Sequence, residues 1–291
     1  MQRERIRYFF LLPGVILILA LSIFPLLFSL YLAFSKWQPS SIGIGIRFIG
    51  IKNFVDLYHD ANFRITLINT LFYVIVGTIV EGIIGFGLAL LLSQNIKGKK
   101  FFRVVFLMPM MLTPVAVAYM WKMLLDETMG PINFFLKHIG IHPVSWLSNP
   151  SIAKMSILII DAWEWIPFMM IIFLAALQSL PQEPYEAAYI DGATGFKALI
   201  YITLPLIYPI IITAALLRGV EMFKIFDVIM ITTGGGPGLS TASVSIYGYY
   251  VAMKHFNLGY ASAISYVLLA TIIILSMTYL NIFRERTKVI S

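Results

Sequence analysis

The chain has 291 residues, of which 59% are hydrophobic and only 12% charged. Soluble domains carry roughly 25% charged residues, so this shortfall argues against one and predicts a polytopic membrane protein. The mean hydropathy of +0.87 agrees. The net charge of +7 is modest and reads as asymmetry between loops, not as a nucleic-acid surface. Cysteine is absent, and His59, His138, His142 and His255 are scattered, so neither a disulfide nor a metal site is expected.

Arg3, Arg5 and Arg7 precede an apolar run from Tyr8 to Phe34. The run is too long for a secretory h-region and no small-x-small cleavage site follows, so it reads as a retained first span. Apolar runs long enough to cross a bilayer as helices occur at 8–34, 67–93, 104–125, 153–179, 205–231 and 260–283. The expected fold is all-α, with six transmembrane helices in a single transmembrane domain over 1–291. Pro13, Pro25, Pro109, Pro114, Pro167 and Pro209 lie inside these runs, where neighbouring helices can satisfy the freed carbonyls. Gly77, Gly82, Gly85 and Gly87 give the second run a small-residue face for close helix contact.

The connections have structure of their own. Phe48-Ile-Gly50-Ile-Lys-Asn53-Phe54 reads as a turn entering an amphipathic helix, with Asn53 as its N-cap. Gly130 to Gly140 reads as a short helix with a glycine stop, and Gly234 to Gly238 as a sharp turn. With six spans, three basic segments share one side: Arg3, Arg5 and Arg7; Lys97, Lys99, Lys100 and Arg103; Arg284, Arg286 and Lys288. That side is expected to be cytoplasmic, with both termini and the connection 181–205.

The ionisable residues that stand out inside the spans are Glu81, Asp161, Glu164, Arg218, Glu221, Lys224 and Asp227. Charge at membrane depth is costly and usually faces a bundle interior or a wet cavity. Arg218, Glu221, Lys224 and Asp227 follow i, i+3 steps with alternating sign, which predicts pairing along one helix. Two readings stay open. Either the four form a self-neutralised structural ladder, or they form a polar lining that binds hydroxyls, with Phe223 and Phe226 interleaved. Asp161 and Trp165 are four apart and share a helix face, with Glu164 beside them. A carboxylate beside an indole suits a sugar ring, whose faces are apolar and whose edges are polar. Glu81 reads as structural.

Enzymatic machinery is not expected. Gly195-Phe-Lys197 and Gly98-Lys-Lys100 lack the glycine-rich loop that cradles phosphates, and no Ser-His-Asp ordering is apparent.

One polar loop stands out against this apolar background. Glu186-Ala187-Ala188 presents a small, flat helical face, and Asp191-Gly192-Ala193 supplies a turn. Ile202, Leu204 and Pro205 then open the next apolar run. The spacing of these nine anchors resembles the EAA loop of ABC-importer permeases. Leu11-Leu12-Pro13, Gly130-Pro-Ile-Asn133, Leu177-Gln178-Ser-Leu-Pro181, Thr233-Gly-Gly-Gly-Pro237 and Gly259-Tyr-Ala-Ser-Ala263 extend the likeness along the chain. It is similar to the carbohydrate-type permeases of the maltose, trehalose and glycerol-3-phosphate importer group.

The resemblance implies a type I importer permease fold in a prokaryotic cell membrane. It implies a second homologous permease, two cytoplasmic ATP-binding subunits and an extracytoplasmic solute-binding protein. ATP and magnesium would be held by those ATPases, leaving this chain without a cofactor. It implies a sugar substrate, a di- or oligosaccharide, with the loop coupling to the ATPase. Phe223, Lys224 and their neighbours sit where relatives line the sugar site. Importers of glycerol-3-phosphate, a polyol, a polyamine, phosphate or a peptide remain as alternatives. A secondary transporter would need inverted repeats and its own coupling-ion site, and neither is visible.

Overall fold

The structure, a computed structural model, describes residues 2–39 and 45–290, with side chains described for 10–39 and 45–283. The side chains of Arg3, Arg5, Arg7, Arg284, Arg286 and Lys288, which carried part of the orientation argument, therefore lie outside the described ones. The principal helices are α1 (Phe10–Ala33), α2 (Lys52–His59), α3 (Ala61–Ser93), α4 (Lys99–Leu107), α5 (Pro114–Leu124) and α6 (Pro131–His138). They continue with α7 (Pro150–Gln178), α8 (Glu183–Ile190), α9 (Leu204–Met222), α10 (Asp227–Thr232), α11 (Val244–Met253) and α12 (Leu258–Ile290).

Among the described residues, five helical stretches are long and apolar enough to cross a membrane: α1, α3, α7, the run Phe196–Thr232, and α12 over Leu258–Phe283. The third predicted span, 104–125, is not one helix. It breaks into α4, a tight turn at Pro109–Met111, and α5. Pro109 and Pro114 each lack an amide hydrogen and disfavour helix in the residue before them. Thr113 then restarts the helix by accepting a hydrogen bond from the Ala116 amide at 3.4 Å. The fifth span departs from expectation differently. It begins at Phe196, ahead of Pro205, because a wide turn at Leu199–Thr203 absorbs the clash that Pro205 would make with the preceding turn.

The chain divides into two compact units. One comprises residues 1–64 and 247–271. In it, Ser35–Lys36 pairs antiparallel with Arg47–Phe48 at the end of α1. Asn53 is not the N-cap of α2, since Ile51 holds that position. The buried Asn53 amide instead donates to the carbonyls of Ala33 and Ser35, both at 2.9 Å, closing the C-terminal end of α1. Asp60 ties the unit together. Its Oδ1 accepts from the amides of Asn62 and Phe63, and its Oδ2 from the hydroxyls of Tyr247 at 2.5 Å and Tyr260 at 2.8 Å. Partial burial pushes this carboxyl up, but the four donors outweigh it and hold it below its ordinary value.

The other unit comprises residues 65–246 and 272–291. Its centre is the packing of α3 along α7, where Ala89, Leu92, Met169, Met170, Phe173 and Leu174 are buried together with Ala214 of α9. Gly85 permits the close approach. A Cβ there would lie 2.6 Å from the Met169 Cβ and 3.0 Å from the Met170 amide nitrogen. Gly77 abuts Met222, but Gly82 and Gly87 face open space, so only two of the four glycines make the predicted close contact. In a bilayer such packing acts through van der Waals contact and small residues, because lipid tails are as apolar as leucine.

The polar connections are pinned at specific points. α6 ends at His138, and Gly140 two residues on takes φ +82°, as the predicted glycine stop requires. Asn133 braces that connection by accepting from the Val144 amide at 3.0 Å and the Trp146 indole at 2.9 Å. The Gly234–Gly238 turn is also observed, with Gly235 at φ +90°. Asn69 of α3 donates to the carbonyls of Leu239 and Ala242, and the Tyr73 hydroxyl to that of Thr241.

Candidate functional site

An arginine inside an apolar bundle must find counterions on other elements or face water. Arg218 of α9 is 2% exposed and finds two. Its Nε and Nη2 donate to the carboxylate of Glu81 on α3, and Nη2 also contacts Asp161 Oδ2 on α7. The planar guanidinium suits this fork, and its face lies 5.0 Å from the Trp165 ring centre. Three helices of one unit thus meet at a single buried ion cluster. Glu81, read from sequence as structural, is the partner that the sequence reasoning failed to connect with Arg218. The available signal was charge arithmetic: a membrane-depth arginine needs a carboxylate, and Glu81 was the one candidate outside α7 and the fifth span.

The predicted ladder does not form. Its helix stops at Met222, and tight turns carry the Lys224 and Ile225 amides back to the Glu221 and Met222 carbonyls. Phe226 then adopts φ −140°, ψ −59°, and α10 begins at Asp227. Ser243 donates to the Ile225 carbonyl at 2.9 Å, which satisfies one group freed by the break. The i, i+3 register is lost across the break. Only Glu221 and Lys224 pair along the chain, at 2.8 Å, and both side chains are more than half exposed (55% and 57%). Arg218 pairs across helices instead.

The break converts the ladder into the wall of a cavity of about 130 Å³. Asp161, Glu164 and Trp165 of α7 line it, together with Arg218 and Glu221 of α9 and Lys224, Phe226 and Asp227 from the break and α10. Seven of the eight residues singled out from sequence therefore meet at one place. Phe223 is the exception: it is buried and does not line the cavity. Glu164 is 1% exposed, and its Oε2 has no hydrogen-bond partner. The arrangement offers acceptors, one stacked aromatic face and two engaged cations. Among the described residues no cluster of His, Cys, Asp and Glu is fit to hold a metal.

The loop after α7 is a second feature. Pro184 opens α8 with Glu183 and Glu186 in its first turn, favourable places for proline and for negative charge. α8 ends at Ile190, and Gly192 takes φ +75°, a conformation that side-chain-bearing residues rarely adopt. The Ala193 amide returns to the Ala188 carbonyl at 2.8 Å. Tyr185 reaches the buried Thr203 hydroxyl at 2.8 Å, fixing α8 to the start of α9. Glu186, Ala187, Asp191 and Gly192 are exposed; Ala188, Ala193, Ile202, Leu204 and Pro205 are partly covered. Tyr189, Ile190, Phe196 and Tyr201 are each more than 70% exposed, so the loop shows an apolar surface outside the bundle.

Two membrane-length helical stretches, α7 and Phe196–Thr232, line an ion-paired cavity and are joined by an exposed loop, an arrangement that suits a membrane-embedded transport protein. Residues 81–283 match the family described as binding-protein-dependent transport system inner membrane component, and the chain belongs to that family. The probable ABC transporter permease protein y4oQ of Sinorhizobium fredii is 34% identical over 279 residues, covering 94% of this chain and 90% of the relative. The trehalose/maltose transport system permease protein MalF of Thermococcus litoralis is 32% identical over 291 residues, covering 98% and 96%. A solved chain from a bacterial ABC transporter involved in import of the acidic polysaccharide alginate superposes with a TM-score of 0.86 at 25% identity, covering 98% and 96%. The two named relatives are permease proteins rather than enzymes.

Proposed function

We propose that this chain is one permease of an ATP-driven importer that moves a sugar, a di- or oligosaccharide, across a prokaryotic cell membrane into the cytoplasm. The carrying observation is the cavity at the helix break, where carboxylates and the Trp165–Arg218 stack provide polar edges and an aromatic face together. The trehalose/maltose relative supports the substrate class. The solute arrives from an extracytoplasmic binding protein, a partner the family description supports. A second homologous permease completes the pathway.

The loop from Glu186 to Pro205 docks with one of two cytoplasmic ATP-binding subunits, which hold ATP and magnesium. Its apolar exposed residues and flat Glu186-Ala-Ala face suit a cleft in that partner. Both termini and the loop lie on the cytoplasmic side.

The test is uptake and ATPase activity of the importer assembled with its partners, using a panel of mono- and disaccharides. At least one sugar stimulates ATP hydrolysis through the binding protein. Gly192→Val abolishes that stimulation while the complex still assembles, because valine cannot hold the turn. Normal uptake by a well-expressed Gly192→Val complex would sink the coupling role.

A further inference from the structure

The cavity holds more negative than positive groups, and both of its cations are engaged. Arg218 is shared by Glu81 and Asp161, and Lys224 is paired with Glu221. Among the described residues, Glu164 and Asp227 have no salt bridge, and both line the cavity. Glu164 is repelled by Asp161 and Asp227 and attracted by Arg218, but Arg218 is already committed to Glu81 and Asp161. Glu164 is the more demanding of the two. It is almost fully buried, and its Oε2 accepts no hydrogen bond, whereas Asp227 is exposed and opens α10, where helix amides ease a negative charge.

A buried carboxylate with an orphaned oxygen calls for a donor, and beside a second carboxylate it calls for positive charge. A metal ion does not fit, since no suitable ligand group exists among the described residues. An anionic solute would be repelled. A neutral hydroxyl would donate to Glu164 but leave the charge surplus in place. An ammonium group answers both needs, and Trp165 and Phe226, which line the cavity, place aromatic carbon beside its frame. At about 130 Å³ the cavity takes one end of such a solute, not a whole disaccharide.

We propose that the transported solute is an amine-bearing carbohydrate, whose ammonium group sits between Glu164 and Asp227. This rests on the reading of the cavity as part of the solute path, and it narrows the substrate to amino sugars.

The test uses the assembled importer complex in nanodiscs, without binding protein, so that only the cavity selects. Saturation-transfer NMR titrations compare glucosamine with glucose and with N-acetylglucosamine, in which the amine is neutralised. Glucosamine binds about tenfold more tightly than either, equivalent to about 1.4 kcal/mol, and the preference fades as pH rises and the amine deprotonates. Glu164→Gln removes the preference. If that variant fails to assemble, Asp227→Asn, at an exposed position, carries the same expectation. Equal binding of glucosamine and glucose, or a preference unchanged in the assembled variants, overturns the amine assignment while leaving a sugar path intact. Binding of none of the three overturns the path and the assignment together.

Discussion

Arg218 of α9 and Glu81 of α3 meet through two parallel contacts, Nε to Oε2 at 2.5 Å and Nη2 to Oε1 at 3.0 Å. Both side chains are almost fully removed from solvent. Breaking such a pair leaves an uncompensated ion, which costs about 3–5 kcal/mol in buried sites. Arg218→Met should therefore lower the melting temperature and yield of the purified complex sharply. Combining it with Glu81→Gln and Asp161→Asn should restore much of the loss. The exposed Glu221–Lys224 pair behaves differently, and Glu221→Gln should change stability by less than about 1 kcal/mol. Equal losses for Arg218→Met and Glu221→Gln would refute this division.

Gly85 and Gly82 lie on the same helix and should respond oppositely to alanine. At Gly85 the added methyl meets the backbone and Cβ of α7, so the helices must separate, an overpacking cost of about 1–3 kcal/mol. At Gly82 nothing lies within 4 Å, and alanine gains up to about 1 kcal/mol of helix propensity. Thermal unfolding of the two single variants in nanodiscs checks the contrast.

Asp60 gives its unit an acid limit. Its carboxyl titrates below the ordinary value because the four hydrogen bonds outweigh partial burial. A lowered folded-state value stabilises the protein above the unfolded value, near pH 4, and that contribution disappears as pH falls through the folded value. Melting temperature should therefore decline in that acid range. Asp60→Asn should melt lower at neutral pH and show a shallower acid decline. An unaltered pH profile in the variant would remove Asp60 from this role.

Topology can be read directly, because the chain has no native cysteine. Single cysteines at Lys99 and Lys197 should react with an impermeant maleimide only from the cytoplasm, and those at Lys137 and Lys254 only from outside. A cytoplasmic signal at Lys137 would invert the proposed orientation.

The membrane class and most of the long apolar helices were legible in the sequence because each rests on local chemistry. Hydropathy runs long enough for a bilayer need no partner to be recognised. Gly192 and Gly140 sit at left-handed turns that favour glycine. The third predicted span is interrupted instead of continuous, because hydropathy does not register what Pro109 and Pro114 do to a hydrogen-bond ladder. The pairing of charges lay further out of reach. The i, i+3 spacing of Arg218, Glu221, Lys224 and Asp227 assumed an unbroken helix, and nothing local announces the break at Phe223–Phe226. Ion pairs at depth are set by which helices pack together. Gly85 brings α3 against α7, α9 joins them through Ala214 and Arg218, and only that arrangement joins Glu81, Asp161 and Arg218 across 137 and 57 residues of chain. Sequence thus determined which charged groups fall within apolar runs; the tertiary structure decided which of them pair directly, with Arg218 bridging Glu81 and Asp161 while Glu164 lines the cavity without a salt bridge.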